Sequence, residues 1–246
     1  MLTRPLSALA MTLSLLGGVA ALVPSSAWAQ TDMVTPLFQT PVLKTVLDAN
    51  ARAFHDPAAE RRETAAPAGA PLQTTYRPSP AVSRKVQARF AEFLATRTGD
   101  TSARKVAEVM AQGDPATNWA RIVAADGLKP NDTADALAAY WALSWSMANG
   151  GAVSRAQTLG AREQVLGVLA RNPAYGRLDD EGRQEFAETL MLNFLLQQAA
   201  FDDARQRQDA ATLRRLGDAA AARFKVEAGE DLRALTLTDK GLVAKR

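Results

Sequence analysis

Between residues 76 and 230 the chain repeats one piece of grammar: an apolar stretch with helical spacing, a stop, and a capped restart. Ser79-Pro80 opens one stretch and Gly113-Asp114-Pro115 closes another and opens the next. Gly127 ends that one, Asn131-Asp132-Thr133 starts a fourth, and Gly150-Gly151 terminates it. Asn172-Pro173 ends a fifth, Asp179-Asp180-Glu181 opens a sixth, and Ala228-Gly229 stops the last. A cap oxygen accepts from an orphan backbone N–H, proline loses nothing in a first turn, and glycine takes the left-handed conformation that ends a helix. No Val/Ile/Thr-rich run in this body supports a sheet. The fold class expected is all-α: one multi-helix orthogonal or bundle domain over residues 76–246.

The apolar spacing places the core. Val82, Val86, Phe90, Phe93 and Leu94 share one face of a helix running from Pro80 to about Arg97, and a shorter helix runs to about Gln112. Trp119, Ile122 and Val123 mark the next. In the helix from Ala134 to Asn149, Ala134, Ala138, Trp141, Trp145 and Ala148 line one face, and Leu137, Tyr140, Ser144 and Met147 the adjoining one. An apolar surface that wide is expected of the central helix. Helices follow over Ser154 to Arg171, from Asp179 to about Gln208, and from Asp209 to Val226, the last two continuous or separate. The tail from Leu232 to Val243 alternates at Leu235-Thr236-Leu237-Thr238 and carries a turn signal at Thr238-Asp239-Lys240-Gly241, so an extended segment lying back on the helices is expected.

The first residues read as an address. A short basic start at Met1 to Arg4 precedes an apolar run from Leu6 to Val23, and Ala27 and Ala29 match the small-residue cleavage pattern. The expectation is a signal peptide over 1–29, cleaved between Ala29 and Gln30, and a mature protein in the periplasm or secreted. An N-terminal arm with a short helix is expected over 30–54, bearing Leu37, Val42, Leu43, Val46, Leu47 and Phe54. A disordered linker rich in Pro and Ala is expected over 55–75. No later segment is long and apolar enough to span a bilayer; Leu190 to Phe201 is interrupted by Asn193, Gln197 and Gln198.

Composition removes whole chemistries. The 246 residues include no Cys and one His. Disulfides, thiol catalysis and Cys-ligated metals are excluded, and so is any mechanism that needs two imidazoles. His55 falls in the expected linker, where nothing holds a base against a nucleophile. No zinc-protease, phosphate-loop or nucleophile-elbow motif is present, and neither a cofactor nor a metal is expected. The balance of 29 basic and 26 acidic side chains leaves a net charge of only +3. Arg205, Arg207, Arg214 and Arg215 alternate with Asp202, Asp203, Asp209 and Asp218, the pattern of a solvated mixed-charge face rather than a nucleic-acid stripe.

Some residues remain as candidates for a binding or structural role. Asp132 and Asp135 form a carboxylate pair, but two acids on one helical turn suit a cap and a first-turn charge better than the opposite sides of a sugar ring. Glu163, Glu185 and Glu188 read as surface-facing. Trp119, Trp141 and Trp145 could stack on sugars, yet indoles among alanines more often fill a core. Asn149, Asn193 and Gln197 are amides in apolar helices and are expected to pin packing through hydrogen bonds. Tyr76, Arg77 and Tyr140 complete the set.

Tyr76-Arg77-Pro78-Ser79-Pro80-Ala81-Val82, Gly127-Leu128, the stretch from Asn131 to Trp141, Ala148-Asn149-Gly150, Asp231-Leu232 and Leu237-Thr238-Asp239-Lys240-Gly241 together resemble an exported bacterial family known only as a domain of unknown function. The likeness runs from about Tyr76 to Val243, and its most specific element is Asn131 to Trp141. It implies export and a helical domain, and it carries over no activity or site. The functional expectation is a non-catalytic binding or structural role in the periplasm, with another envelope protein as the class of partner and no nucleic acid. The alternatives are an envelope-glycan hydrolase using a carboxylate pair and a small-ligand or lipid carrier.

Overall fold

The structure, a computed structural model, describes residues 40–55, 72–98 and 114–245. The expected signal peptide, its Ala29–Gln30 junction, most of the linker and the short helix before Gln112 lie outside them. The described residues form seven α-helices and one hairpin. These are α1 (Pro41–His55), α2 (Pro80–Thr98), α3 (Pro115–Val123), α4 (Thr133–Asn149), α5 (Arg155–Ala170), α6 (Asp180–Gln206) and α7 (Ala210–Ala228). Strands β1 (Leu235–Thr238) and β2 (Gly241–Ala244) pair antiparallel, with Leu237 opposite Leu242. The fold is all-α, and the extended tail closes on itself as this hairpin.

The punctuation acts as cap chemistry. Asp114, Asp132, Ser154, Asp179 and Asp209 each accept a backbone N–H in the first turn of the helix they precede. At Ser154 the cap is reciprocal, because the Gln157 side chain accepts from the Ser154 N–H. Gly127, Gly150 and Gly229 take positive φ where their helices end. The break between α6 and α7 is sharper than a glycine stop. Arg207, Gln208 and Asp209 intervene, with Gln208 itself at φ 56 and Asp209 capping α7 through Thr212.

Helix α4 is the axis of the packing. All its residues from Thr133 to Met147 are buried, and α5, α6 and α7 each pack along it. Burying a large side chain of this kind stabilises the fold by roughly 1.5–3 kcal/mol. Helix α6 extends the contact to α2, α3 and α1, while the hairpin lies on α5. Leu43, Val46 and Leu47 of α1 are buried, and the Asn172 side chain donates to Val46 O at 3.0 Å. Thr74 and Thr75 also reach this body: Thr75 pairs with Asp132 in an isolated antiparallel bridge, and Thr133 N donates to Thr74 O.

Two helical glycines set how closely elements approach. A Cβ on Gly160 would lie 2.4 Å from the Asp239 carbonyl, where the hairpin turn presses on α5. A Cβ on Gly217 would lie 2.6 Å from Met147 O, where α7 crosses the end of α4.

Candidate functional site

The carboxylate pair at the start of α4 faces inward. Asp132 Oδ1 accepts from Ala134 N at 2.8 Å, and its Oδ2 accepts from the Thr74 hydroxyl at 3.1 Å. Asp135 accepts from Lys129 N at 2.7 Å and from the Arg162 guanidinium, which also reaches Asp132 at 3.5 Å. Burial pushes the Asp135 carboxyl above its ordinary range, and the bonds from Arg162 and Lys129 pull against that shift. Thr133 and Tyr175 share a short hydroxyl contact beside this pair, and burial pushes the Tyr175 phenol up to about 12. The two acids thus sit around one cation, tying α4 to α5 and to the 74–75 strap. They do not face each other across an opening, as acid and base on a sugar ring must.

Trp119, Trp141 and Trp145 are interior. Trp141 meets Phe224 edge-on at 5.4 Å, Trp119 meets Phe194 at 6.5 Å, and Trp145 Nε1 donates to Leu235 O at 3.0 Å. Asn149 donates to Trp145 O and Leu232 O and accepts from Lys245, so it fastens the tail to the end of α4. Asn193 is buried and donates to Thr189 O one turn back. Arg77 is exposed, and its backbone N–H points to Asp180. Tyr76 is buried, and among the described residues its hydroxyl has no hydrogen-bond partner.

Glu185 and Glu188 turn inward, contrary to the surface position that their sequence context indicated. Glu185 is buried between Lys85 and Arg89 at 2.9 and 2.8 Å. Glu188 accepts from Ser83 and from Gln184, at 2.8 Å each. Partners about a hundred residues earlier, on α2, account for both positions, and no local pattern announces them. Glu163 is exposed as expected.

A second buried polar group lies where α4, α6 and α7 meet. The Tyr140 hydroxyl donates to both carboxylate oxygens of Glu227 at 3.2 Å, and Arg223 donates to the Gln197 side chain. Burial pushes the Glu227 carboxyl up to about 7, opposed by Arg223 and by the Tyr140 hydrogen bond. Neither Arg223 nor Glu227 stood out in the sequence.

Among the described residues, a half-open cleft of about 430 Å3 at the joint of α4, α6 and α7 has the size to receive another molecule. Met147, Phe201 and Leu213 supply apolar lining, and Arg205, Arg214 and Arg233 stand around it as exposed cations. Gly150, Gly151 and Ala152 form a low wall with little side chain. The reversal at Gln208 builds the site, because it carries the start of α7 back beside the end of α6. Periodicity alone showed a mixed-charge surface here, since the cleft exists only once the two helices fold together.

Among the described residues no group of three or more His, Asp and Glu side chains could hold a metal ion. No helix among them is long and apolar enough to cross a membrane. No curated protein and no solved structure matches the chain. One family model does, over residues 10–245, which extends the likeness seen from Tyr76 to Val243 well toward the N-terminus. The chain therefore belongs to a family of unknown function, DUF6683.

Proposed function

We propose that this protein is exported to the bacterial periplasm and acts there by binding rather than by catalysis, with the cleft between α4, α6 and α7 as its contact site. The leader-like sequence from Met1 to Ala29 supports export. The observation that carries the binding role is the cleft, whose volume falls in the range of about 300–1,000 Å3 usual for ligand sites and whose cations stand beside apolar surface. The glycan-hydrolase reading loses its support, because Asp132 and Asp135 are both held by Arg162 and the indoles of Trp141 and Trp145 are buried. A carrier that encloses its cargo would need a sealed apolar cavity, and this cleft is open to solvent on one side.

The test uses the full-length chain in a bacterial host. N-terminal sequencing of the periplasmic fraction should begin at Gln30; a protein retained whole in the cytoplasm overturns the export half. A photo-crosslinking amino acid at Leu213, in the cleft, should give adducts in living cells that are absent when the same group replaces Arg84 on α2. Equal labelling at the two positions, or none at either, overturns the binding half.

A further inference from the structure

The cleft also limits what can occupy it, an inference that rests on the binding role above. Arg233 is engaged: it pairs with Asp218 and its Nε points to Ala148 O. Arg205 and Arg214 are different. Both are exposed, and among the described residues neither has a carboxylate partner in an ion pair or a hydrogen bond. The Arg205 guanidinium lies 5.8 Å from the centre of the Phe201 ring, so it is held over the aromatic lining. Asp202 feels the charge of Arg205 but takes its hydrogen bond from Gln198 at 2.8 Å. Two cations thus line the cleft without an ion-pair partner among the described residues, one of them over its aromatic lining.

The polarity of the helix ends orients an occupant. The carbonyl end of α4 borders the cleft at Met147 and Ala148 and disfavours negative charge there. Arg205, in the last turn of α6, and Arg214, early in α7, flank the α6–α7 reversal and bring positive charge to the lining. A negative head belongs with the arginines, and an apolar body belongs along Met147, Phe201 and Leu213.

We propose that the cleft binds one soluble anionic amphiphile, with a carboxylate or phosphate head between Arg205 and Arg214 and a short hydrocarbon or aromatic body on the apolar lining. A single molecule fits better than an anionic bilayer, because Asp202, which feels the charge of Arg205, and Asp218, which pairs with Arg233 at the cleft, would oppose a continuous negative surface. Guanidinium forks match both carboxylate and phosphate oxygens, so either head is accepted.

The experiment is calorimetric titration of the purified full chain with decanoate, decyl phosphate and decyltrimethylammonium, with sedimentation against phosphatidylglycerol vesicles in parallel. Saturable one-to-one binding of decanoate or decyl phosphate is expected, with no binding of the cationic amphiphile and no co-sedimentation. The paired substitution Arg205→Glu/Arg214→Glu should weaken binding about tenfold or more, while Arg84→Glu should leave it unchanged. Both arginines are exposed, and circular dichroism melts establish that the variants fold. The proposal is overturned by equal affinity for the cationic amphiphile, by arginine-dependent pelleting with vesicles, by indifference to the double substitution, or by no binding of either anion. If neither anion binds while Leu213 still crosslinks in cells, the amphiphile class falls and the binding role stands.

Discussion

The hydroxyl of Tyr140 lies 3.2 Å from each carboxylate oxygen of Glu227, joining the central helix to α7 through a buried hydrogen bond. Burial is the main reason that the Glu227 carboxyl is pushed from the usual 4.5 up to about 7. The folded state therefore holds this proton more tightly than the unfolded chain does. The stabilisation linked to that proton is complete below pH 4.5 and is lost as pH rises through about 7. Asp135 and Glu188 are shifted in the same direction by burial, so they too contribute stability that is lost as pH rises. Glu227→Gln removes one contributor. Urea unfolding from about pH 5 to about pH 8 should show a flatter profile for the variant, by an amount on the order of a few kcal/mol. Parallel profiles would count against a buried, protonated Glu227.

Arg162 neutralises two carboxylates that are otherwise out of water. Its side chain is only 26% exposed, against 10% for Asp132 and 3% for Asp135. Removing one partner of such a group leaves an uncompensated buried charge, which costs about 3–5 kcal/mol in fully buried pairs and less where water reaches the cation. Arg162→Met should lower the thermal midpoint strongly, and adding Asp135→Asn should recover part of the loss. A double-mutant cycle reads the coupling directly. Independent, additive losses would show that the guanidinium does not serve Asp135.

The caps and the central helix were legible in the sequence because each depends on neighbours a few residues away. Asp114-Pro115, Asp132 and Gly127 carry their own signals, and the width of the apolar surface on α4 shows that it is surrounded. Glu185, Glu188, Arg223 and Glu227 were not legible. Each is a charged residue on an otherwise ordinary helix, made tolerable inside by a partner from a distant element. The cleft was hidden for the same reason. Arg205 and Arg214 lie among aspartates in a pattern that reads as solvated surface; Arg205 reaches Phe201 along α6 itself, and only the turn at Gln208 brings Arg214 and Leu213 into the same cleft.

Gly160 and Gly167 occupy the same helix and should respond oppositely to one added methyl group. At Gly160 the new Cβ would meet the Asp239 carbonyl at 2.4 Å and Gly241 N at 2.8 Å, and both are backbone atoms that cannot swing aside. Gly160→Ala should cost about 1–3 kcal/mol and push the hairpin off α5. At Gly167 the nearest contact is the flexible end of Arg171 at 3.7 Å. There alanine should stabilise the helix by up to about 1 kcal/mol through its better propensity. Thermal unfolding of the two variants side by side tests the contrast, and a shared sign would refute the close seat of the turn on α5.

Trp145 links the hairpin to the core by one polar contact. Its Nε1 donates to Leu235 O at 3.0 Å, at the first residue of β1, while the ring end abuts Gly151 closely enough that a Cβ there would lie 2.9 Å away. Trp145→Phe keeps an aromatic ring but leaves the Leu235 carbonyl without its indole donor, a loss of about 1 kcal/mol for a hydrogen bond of this kind. The rest of the hairpin is held by Gln157 at Leu237 O and by Gln164 at Leu242. Loosening should therefore be confined to the start of β1. Amide exchange in Trp145→Phe should quicken at residues 232–236 and stay slow at Leu237 and Leu242. Uniform exchange across both strands would mean that the indole anchors the whole tail, and unchanged exchange throughout would mean that its hydrogen bond anchors none of it.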